Sequence, residues 1–336
     1  MQNKVLLTGG LGYIGSHTAL SLIKAGYEPV IVDNLSNSKI GVKTALEKIT
    51  GRSITFIECD CGDRTAINSV FDDYGPFYAV IHFAGYKAVG ESVKLPFKYY
   101  QNNLESALET IGASLSHSCN RFIFSSSATV YGMSEVMPLK EDAPLSYTQP
   151  YGETKLVIEN MLRGIAKANP DFKTVLLRYF NPVGADESGL IGEDPNGIPN
   201  NLMPYITRVA TGRLECLTIF GNDYPTPDGT CIRDFIHVSD LADGHVAALS
   251  HIDELPSNDM AINLGTGKGV SVKELVDTFN ECTGGLCKVK WGERRPGDVP
   301  VSYADATLAH RLLGWSAKKT VRDMCISSYE YERKSH

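Results

Sequence analysis

No apolar run in this chain approaches the roughly 18 residues that a membrane-spanning helix requires, so nothing in it reads as a bilayer span. Only Val5-Leu-Leu7 precedes Thr8-Gly-Gly, too little for a secretory h-region, and a cytoplasmic protein is expected. Basic charge is also short. Lys and Arg number 32 against 39 Asp and Glu, giving a net charge of -7 and a pI near 5.7. That balance argues against a general nucleic-acid binder, while local basic residues remain free to hold a phosphorylated small molecule. The eight cysteines, Cys59, Cys61, Cys119, Cys216, Cys231, Cys282, Cys287 and Cys325, form no C-x-x-C pair, and none stands beside a histidine at zinc-finger spacing. No metal is expected, and reduced thiols of a cytosol are the better reading. Internal repeats, low-complexity runs and flexible linkers are missing too. What is present is 336 residues, 43% of them hydrophobic and 21% charged, enough for a large core and about two domains.

The first half alternates short apolar runs with helical stretches. Lys4–Thr8, Glu28–Asp33, Thr55–Ile57, Ala79–His82, Arg121–Phe124 and Thr174–Arg178 read as strands. Helices are expected near Tyr13–Ala25, Tyr99–His117 and Gly152–Ala168. Strands alternating with helices imply an α/β protein whose doubly wound parallel sheet is covered on both faces. After Asn181 the texture changes. Gly184–Pro204 is rich in Gly, Pro, Asn and Asp, the composition of a ligand-contacting loop. Ser271-Val-Lys-Glu274 is a capping-box signal for a helix through about Asn280, and Leu308–Leu313 before Gly314 reads as a short helix with a stop. A second, smaller α/β domain, docked on the first, is expected.

Gly9-Gly-Leu-Gly12-Tyr-Ile-Gly15 follows the first strand and opens a helix. Glycines there let backbone approach a pyrophosphate, which the helix N-terminus attracts. The spacing is G-x-x-G-x-x-G, and a glycine-rich turn by itself is weak evidence. Asp33 ends the next strand, 18 residues after Gly15. A carboxylate there accepts from ribose hydroxyls and repels a 2′-phosphate, favouring NAD over NADP, although a strand-end turn residue is the plainer alternative. Asp60 and His82-Phe-Ala-Gly85 follow the third and fourth strands, where ligands border parallel sheets. His82 alone is more often a satisfied core histidine and receives no catalytic role.

Tyr151 and Lys155 lie four residues apart in Pro150-Tyr-Gly-Glu-Thr-Lys155, hence on one helix face. A phenol ionises near pH 10; a neighbouring ammonium lowers that value and suits the phenol to removing a hydroxyl proton while hydride leaves the same carbon. Such pairs also occur by chance on surface helices. Ser127, after the fifth strand, faces the same crevice and can relay the proton, whereas Ser125 and Ser126 fit turn or cap roles.

Together these segments resemble the extended short-chain dehydrogenase/reductase family and, within it, the UDP-glucose (UDP-galactose) 4-epimerases. The motifs are Thr8–His17, Asp33-Asn-Leu, His82–Gly85, Gly90-Glu-Ser92, Ser125–Gly132 and Pro150–Lys155, then Leu177–Gly184, Gly197–Pro204, Phe220–Pro225 and Arg233–His237. The resemblance implies a Rossmann-like NAD-binding domain over residues 1–180, with 232–263 returning to its sheet. Residues 181–231 and 264–336 would bind the UDP-sugar. It assigns Tyr151 as base, Lys155 as its tuner and ribose anchor, and Ser127 as the bridge to the sugar 4′-hydroxyl. The glycines of the first turn, with Tyr13, Ile14, Asp33, Asn34, Asp60, Cys61, Phe83, Ala84, Gly85, Lys87, Asn102 and Phe180, would line NAD. Asn181, Asn201, Leu202, Phe220, Arg233, Arg295 and Asp298 would hold UDP; without the resemblance, Arg294–Asp298 is merely a charged turn.

The implied reaction inverts C4 of a UDP-hexose through a transient 4-keto sugar. Epimerases confined to plain hexoses carry Tyr four residues after the counterpart of Asp298, and those that also take N-acetylated sugars carry a smaller residue; here it is Ser302, with Tyr303 next door as an alternative filler. UDP-GlcNAc and UDP-GalNAc are therefore expected substrates too. A nucleotide-sugar 4,6-dehydratase would need an acidic pair where Ala128 and Thr129 stand. An NAD-dependent sugar dehydrogenase would release NADH, and a non-catalytic NAD-sensing protein would lack Tyr151 or Lys155. A homodimer is implied, with Tyr99–His117 and Gly152–Ala168 as candidate interface helices.

Overall fold

A computed structural model describes residues 3–295 and 297–335. Strands β1 (Lys4–Thr8), β2 (Glu28–Asp33), β3 (Thr55–Glu58), β4 (Ala79–His82), β5 (Arg121–Ser125) and β6 (Lys173–Tyr179) alternate with α1 (Tyr13–Lys24), α2 (Gly41–Thr50), α3 (Arg64–Tyr74), α4 (Val89–Lys94), α5 (Pro96–Ser116) and α6 (Pro150–Ala168). Then come β7 (Asn181–Val183), α7 (Leu202–Ala210), β8 (Leu217–Phe220), β9 (Ile232–Arg233), β10 (Phe235–His237), α8 (Val238–His251), β11 (Asp259–Leu264) and β12 (Val270–Ser271). The chain closes with α9 (Val272–Thr283), β13 (Val289–Gly292), β14 (Val301–Ser302), α10 (Thr307–Leu313) and α11 (Val321–Ser335).

The large sheet has seven strands in the order β11-β6-β5-β4-β1-β2-β3, and every neighbouring pair in it is parallel. Period-two alternation sends Val5, Leu7, Ile31, Ile81, Ile123 and Val175 into one buried layer with α1 and α8. Leu6, Val30, Val80, Phe122, Phe124 and Leu176 enter the other with α3, α5 and α6. Both faces are apolar, which is why these strands read as continuous hydrophobic runs. Strand order reverses between β1 and β4, so a crevice opens at their carboxyl ends.

The smaller lobe is built from short ladders: β10 with β7, β12 with β9 and β14, and β13 with β8. Its core joins Val183, Met203, Ile206, Leu275, Phe279 and Met324. The capping box of Ser271 and Glu274 is complete, and α9 continues to Gly284, whose left-handed φ of 73° stops it. The return of 232–263 to the large sheet is divided. β9 and β10 stay with the small lobe, because Phe235–His237 runs parallel beside Asn181–Val183. Only α8, packed on α1, and β11, paired with β6, join the large sheet.

Candidate active site

The glycine turn is packed too tightly to admit side chains. A Cβ on Gly15 would stand 2.5 Å from the Gly9 carbonyl oxygen and 2.8 Å from Gly10 Cα. Gly9 itself holds φ +67°, with Ala84 N 2.8 Å from where its Cβ would be. Gly12 is the α1 N-cap and makes no side-chain cap bond, so the amides of Tyr13, Ile14 and the rest of the first turn face outward with the positive end of the helix dipole. At the end of β2, Asp33 accepts from Leu11 N at 3.1 Å through Oδ2, and from Leu35 N at 2.9 Å and Ser38 Oγ at 2.7 Å through Oδ1. These bonds fix the carboxylate beside the turn. Asn34 Nδ2 donates to Asp60 Oδ2 at 3.1 Å, and a groove of about 950 Å³ is lined by Asp60, Tyr86 and Asn102. Cys61, next to Asp60 in the chain, is buried, and burial holds its thiol well above the usual range, so it stays neutral.

After β4 the chain passes through Phe83, Ala84 and Gly85, the last at φ +145° and backed by Asn103 Oδ1. Asn103 was not foreseen. It accepts from Tyr86 N at 2.7 Å and donates to Thr154 Oγ1 at 3.1 Å, tying this loop to α6. Lys87 Nζ donates to Glu193 Oε1 at 2.8 Å, and Asn201 Nδ2 donates to the same oxygen at 2.6 Å. Glu193, also missed, thus links an expected cofactor residue to an expected substrate residue. Burial works against the Lys87 charge, but Glu193 outweighs it and raises the pKa.

Tyr151, Lys155 and Ser127 are brought together at the carboxyl end of β5, all buried. Lys155 Nζ donates to the Ser125 carbonyl at 2.8 Å and stands 4.8 Å from the Phe124 ring centroid and 5.8 Å from that of Tyr151. Ser127 Oγ caps the short turn that follows, accepting from Thr129 N at 3.2 Å. The expectation that Lys155 lowers the phenol pKa does not hold for the protein alone. Burial pushes Tyr151 well above its ordinary value, and the neighbouring Ser127 hydroxyl only partly opposes it. The same burial lowers Lys155 to about 8, against a pull upward from Glu159. Desolvation disfavours both charged forms in this crevice.

Phe180 is buried at the end of β6, and Asn181 N donates to the Asp234 carbonyl at 3.0 Å, joining the small lobe to this edge. There Asp298 faces two guanidinium groups, Arg295 Nε at 3.1 Å and Arg233 Nη2 at 3.8 Å. Arg295 stacks over Phe220 at 5.3 Å, and Ser302 lies directly beside Arg233 in the β14–β9 ladder. Leu202 opens α7, after Asn201. Pro296, inside the Arg294–Asp298 turn, lies outside the described residues. Unforeseen Asp234 accepts from Thr266 N at 2.8 Å, Gly267 N at 3.1 Å and Ala304 N at 3.2 Å, pinning the strands that carry Arg233 and Ser302.

A sequence model of the NAD dependent epimerase/dehydratase family matches residues 5–265. The chain belongs to that family. It is 52% identical over 328 residues to the UDP-glucose 4-epimerase of Bacillus subtilis (strain 168), covering 98% of this chain and 96% of the relative. Among solved structures it superposes on the UDP-glucose 4-epimerase of Bifidobacterium longum in complex with NAD+ and UDP, at TM-score 0.94, 46% identity and 98% coverage of both chains. It also superposes on the UDP-Glc/GlcNAc 4-epimerase of Campylobacter jejuni at TM-score 0.86 and 37% identity, covering 99% of each. As in other members of the epimerase/dehydratase family, NAD is the cofactor, and the residues here fit it. The glycine turn leaves a cradle no side chain can share, α1 presents free amides to a pyrophosphate, and Asp33 stands oriented at the end of β2 for ribose hydroxyls. Among the described residues no helix is long and apolar enough to cross a membrane.

Proposed function

We propose that this chain is an NAD-dependent UDP-glucose 4-epimerase that inverts C4 of the hexose through a 4-keto sugar. The observation that carries this reading is the buried Tyr151–Lys155 face of α6, set against the Ser125–Ser127 segment at the carboxyl edge of the sheet. The glycine turn and Asp33 would hold NAD, which would supply a reversible hydride acceptor for C4, so that the carbon can be oxidised and then reduced again on its opposite face. Tyr151 accepts the 4′-hydroxyl proton and returns it, Ser127 hydrogen-bonds that hydroxyl, and Lys155 supplies the positive charge that the buried phenolate needs. Because burial alone favours the neutral phenol, Tyr151 acts as a base only once further positive charge enters the crevice. Arg233 and Arg295 pair with the diphosphate, exchanging part of their contact with Asp298 for phosphate oxygens. Binding energy is thereby placed remote from the reacting carbon, so the sugar is free to turn.

The sequence neighbourhood of Ser302 supports use of the N-acetylated pair as well: a hydroxymethyl beside Arg233 leaves room that a phenol would fill. A cytoplasmic homodimer is part of the same reading, with α5 as the contact helix. Phe97 and Leu108, 75% and 51% exposed, and partly buried Leu104 share one face of it. Purified protein given UDP-galactose without added NAD tests the reaction. Tyr151→Phe should retain fold and NAD while losing at least about 100-fold in turnover. Near-native turnover by that variant removes Tyr151 from the chemistry.

A further inference from the structure

One turn beyond Lys155 on the same face of α6 lies Glu159, fully buried and outside every role assigned above. Its carboxylate is fully engaged. Oε1 accepts from Ser126 Oγ at 2.6 Å and Arg178 Nε at 3.0 Å, and Oε2 accepts from Arg178 Nη2 at 2.7 Å. Arg178, itself without exposure, donates onward to Tyr131 Oη at 3.1 Å and to the Glu141 carbonyl at 3.0 Å. Tyr131 Oη donates to Asn263 Oδ1 at 2.6 Å. One largely buried hydrogen-bonded chain therefore joins α6, β6, the segment after β5 and β11.

The placement of the three consecutive serines gives this chain a consequence for the chemistry. Lys155 grips Ser125 through its carbonyl, Glu159 grips Ser126 through its hydroxyl, and Ser127 follows beside Tyr151. The helix that carries the base thus holds the serine segment at two adjacent points. A buried ion pair is weak evidence for stability by itself, since desolvation offsets its attraction. Satisfied buried networks are better suited to fixing a single geometry. Here the geometry fixed is that of the proton relay.

We propose that Glu159 is a positioning residue of this reaction: through Ser126 it locks the Ser127 hydroxyl in register with Tyr151, while Arg178 keeps the carboxylate in place. This rests on the epimerase reading of the site. Glu159→Gln leaves Arg178 buried without a counter-charge and endangers the fold, so Ser126→Ala is the deciding variant; it cuts the link and spares the ion pair. In Ser126→Ala we expect kcat for UDP-galactose to fall roughly ten- to 100-fold, with KM, bound NAD and melting temperature held. Amide exchange should rise at residues 126–132 and not along the distal half of α6. Native kcat with unchanged exchange in that segment overturns the proposal, as does a fall in kcat matched by loss of folded protein. If the native chain itself fails to interconvert UDP-galactose, the epimerase reading fails, and the exchange pattern alone still decides whether Glu159 holds the segment.

Discussion

Lys155→Met isolates what the crevice does to a buried charge. Burial lowers the ammonium from its ordinary 10.5 to about 8, and each pKa unit corresponds to about 1.4 kcal/mol, so the charged form costs the fold about 3 kcal/mol. Methionine fills similar space without charge, but it strands the Ser125 carbonyl that Lys155 now satisfies, costing about 1–2 kcal/mol. At pH 7 the variant, freed of NAD, should therefore be about 1–2 kcal/mol more stable than the native chain, and inactive. The sign with pH follows from the folded value lying below the unfolded one. Below pH 8 both states carry the proton and the native state bears the whole penalty. Between pH 8 and 10.5 the folded lysine sheds its proton while the unfolded chain keeps it, so the native chain gains stability on the variant. Because neutral Lys155 still donates to Ser125, a gain of about 1.4 kcal/mol per pH unit makes the variant the weaker of the two from about pH 9 upward. Urea unfolding midpoints from pH 6 to 10.5 read this crossover. A variant less stable at pH 7, or a difference that ignores pH, refutes the reasoning.

Gly15→Ala places a Cβ against backbone on two sides; we expect a loss of about 1–3 kcal/mol in thermal unfolding and no retained NAD on purification, whereas a stable, NAD-loaded variant denies the cradle. Ser302→Tyr should suppress turnover of UDP-GlcNAc while sparing UDP-galactose, and equal activity on both before and after substitution removes the gate. If α5 is the contact helix of the proposed homodimer, Leu108→Asp should sediment as a monomer where the native chain sediments as a dimer, with the far-UV spectrum unchanged; equal sedimentation coefficients for the two move the interface off α5.

The large sheet was legible because strands buried on both faces leave uninterrupted apolar runs, and β1 to β6 fall within two residues of expectation. Helix starts were less so. α5 and α6 open at Pro96 and Pro150, the proline fitting a first turn that needs no donor. α8 is buried nearly all round and shows no polar face to mark its period. Tyr151, Lys155 and Ser127 lie together at the end of β5, but the residues that hold the candidate site in place carried fainter signals. Glu159 continues the four-residue rhythm of Tyr151 and Lys155, and Arg178 interrupts an apolar strand; either could have been flagged as a charge that burial must pair. Glu193 and Asp234 act through the fold, the first reaching Lys87 and the second Thr266, Gly267 and Ala304, each of them more than 30 residues away. The direction of the Tyr151 shift was misjudged for a related reason. Spacing reveals a neighbouring ammonium, whereas desolvation depends on what the other elements bring to cover it.

The most direct test of the chemistry is to follow deuterium placed at C4 of UDP-galactose, with purified protein and no added NAD. We expect UDP-glucose that keeps the label at C4, in ordinary water, at every extent of conversion. Label washed into solvent, or net release of reduced dinucleotide, contradicts a hydride taken up and restored within one closed crevice.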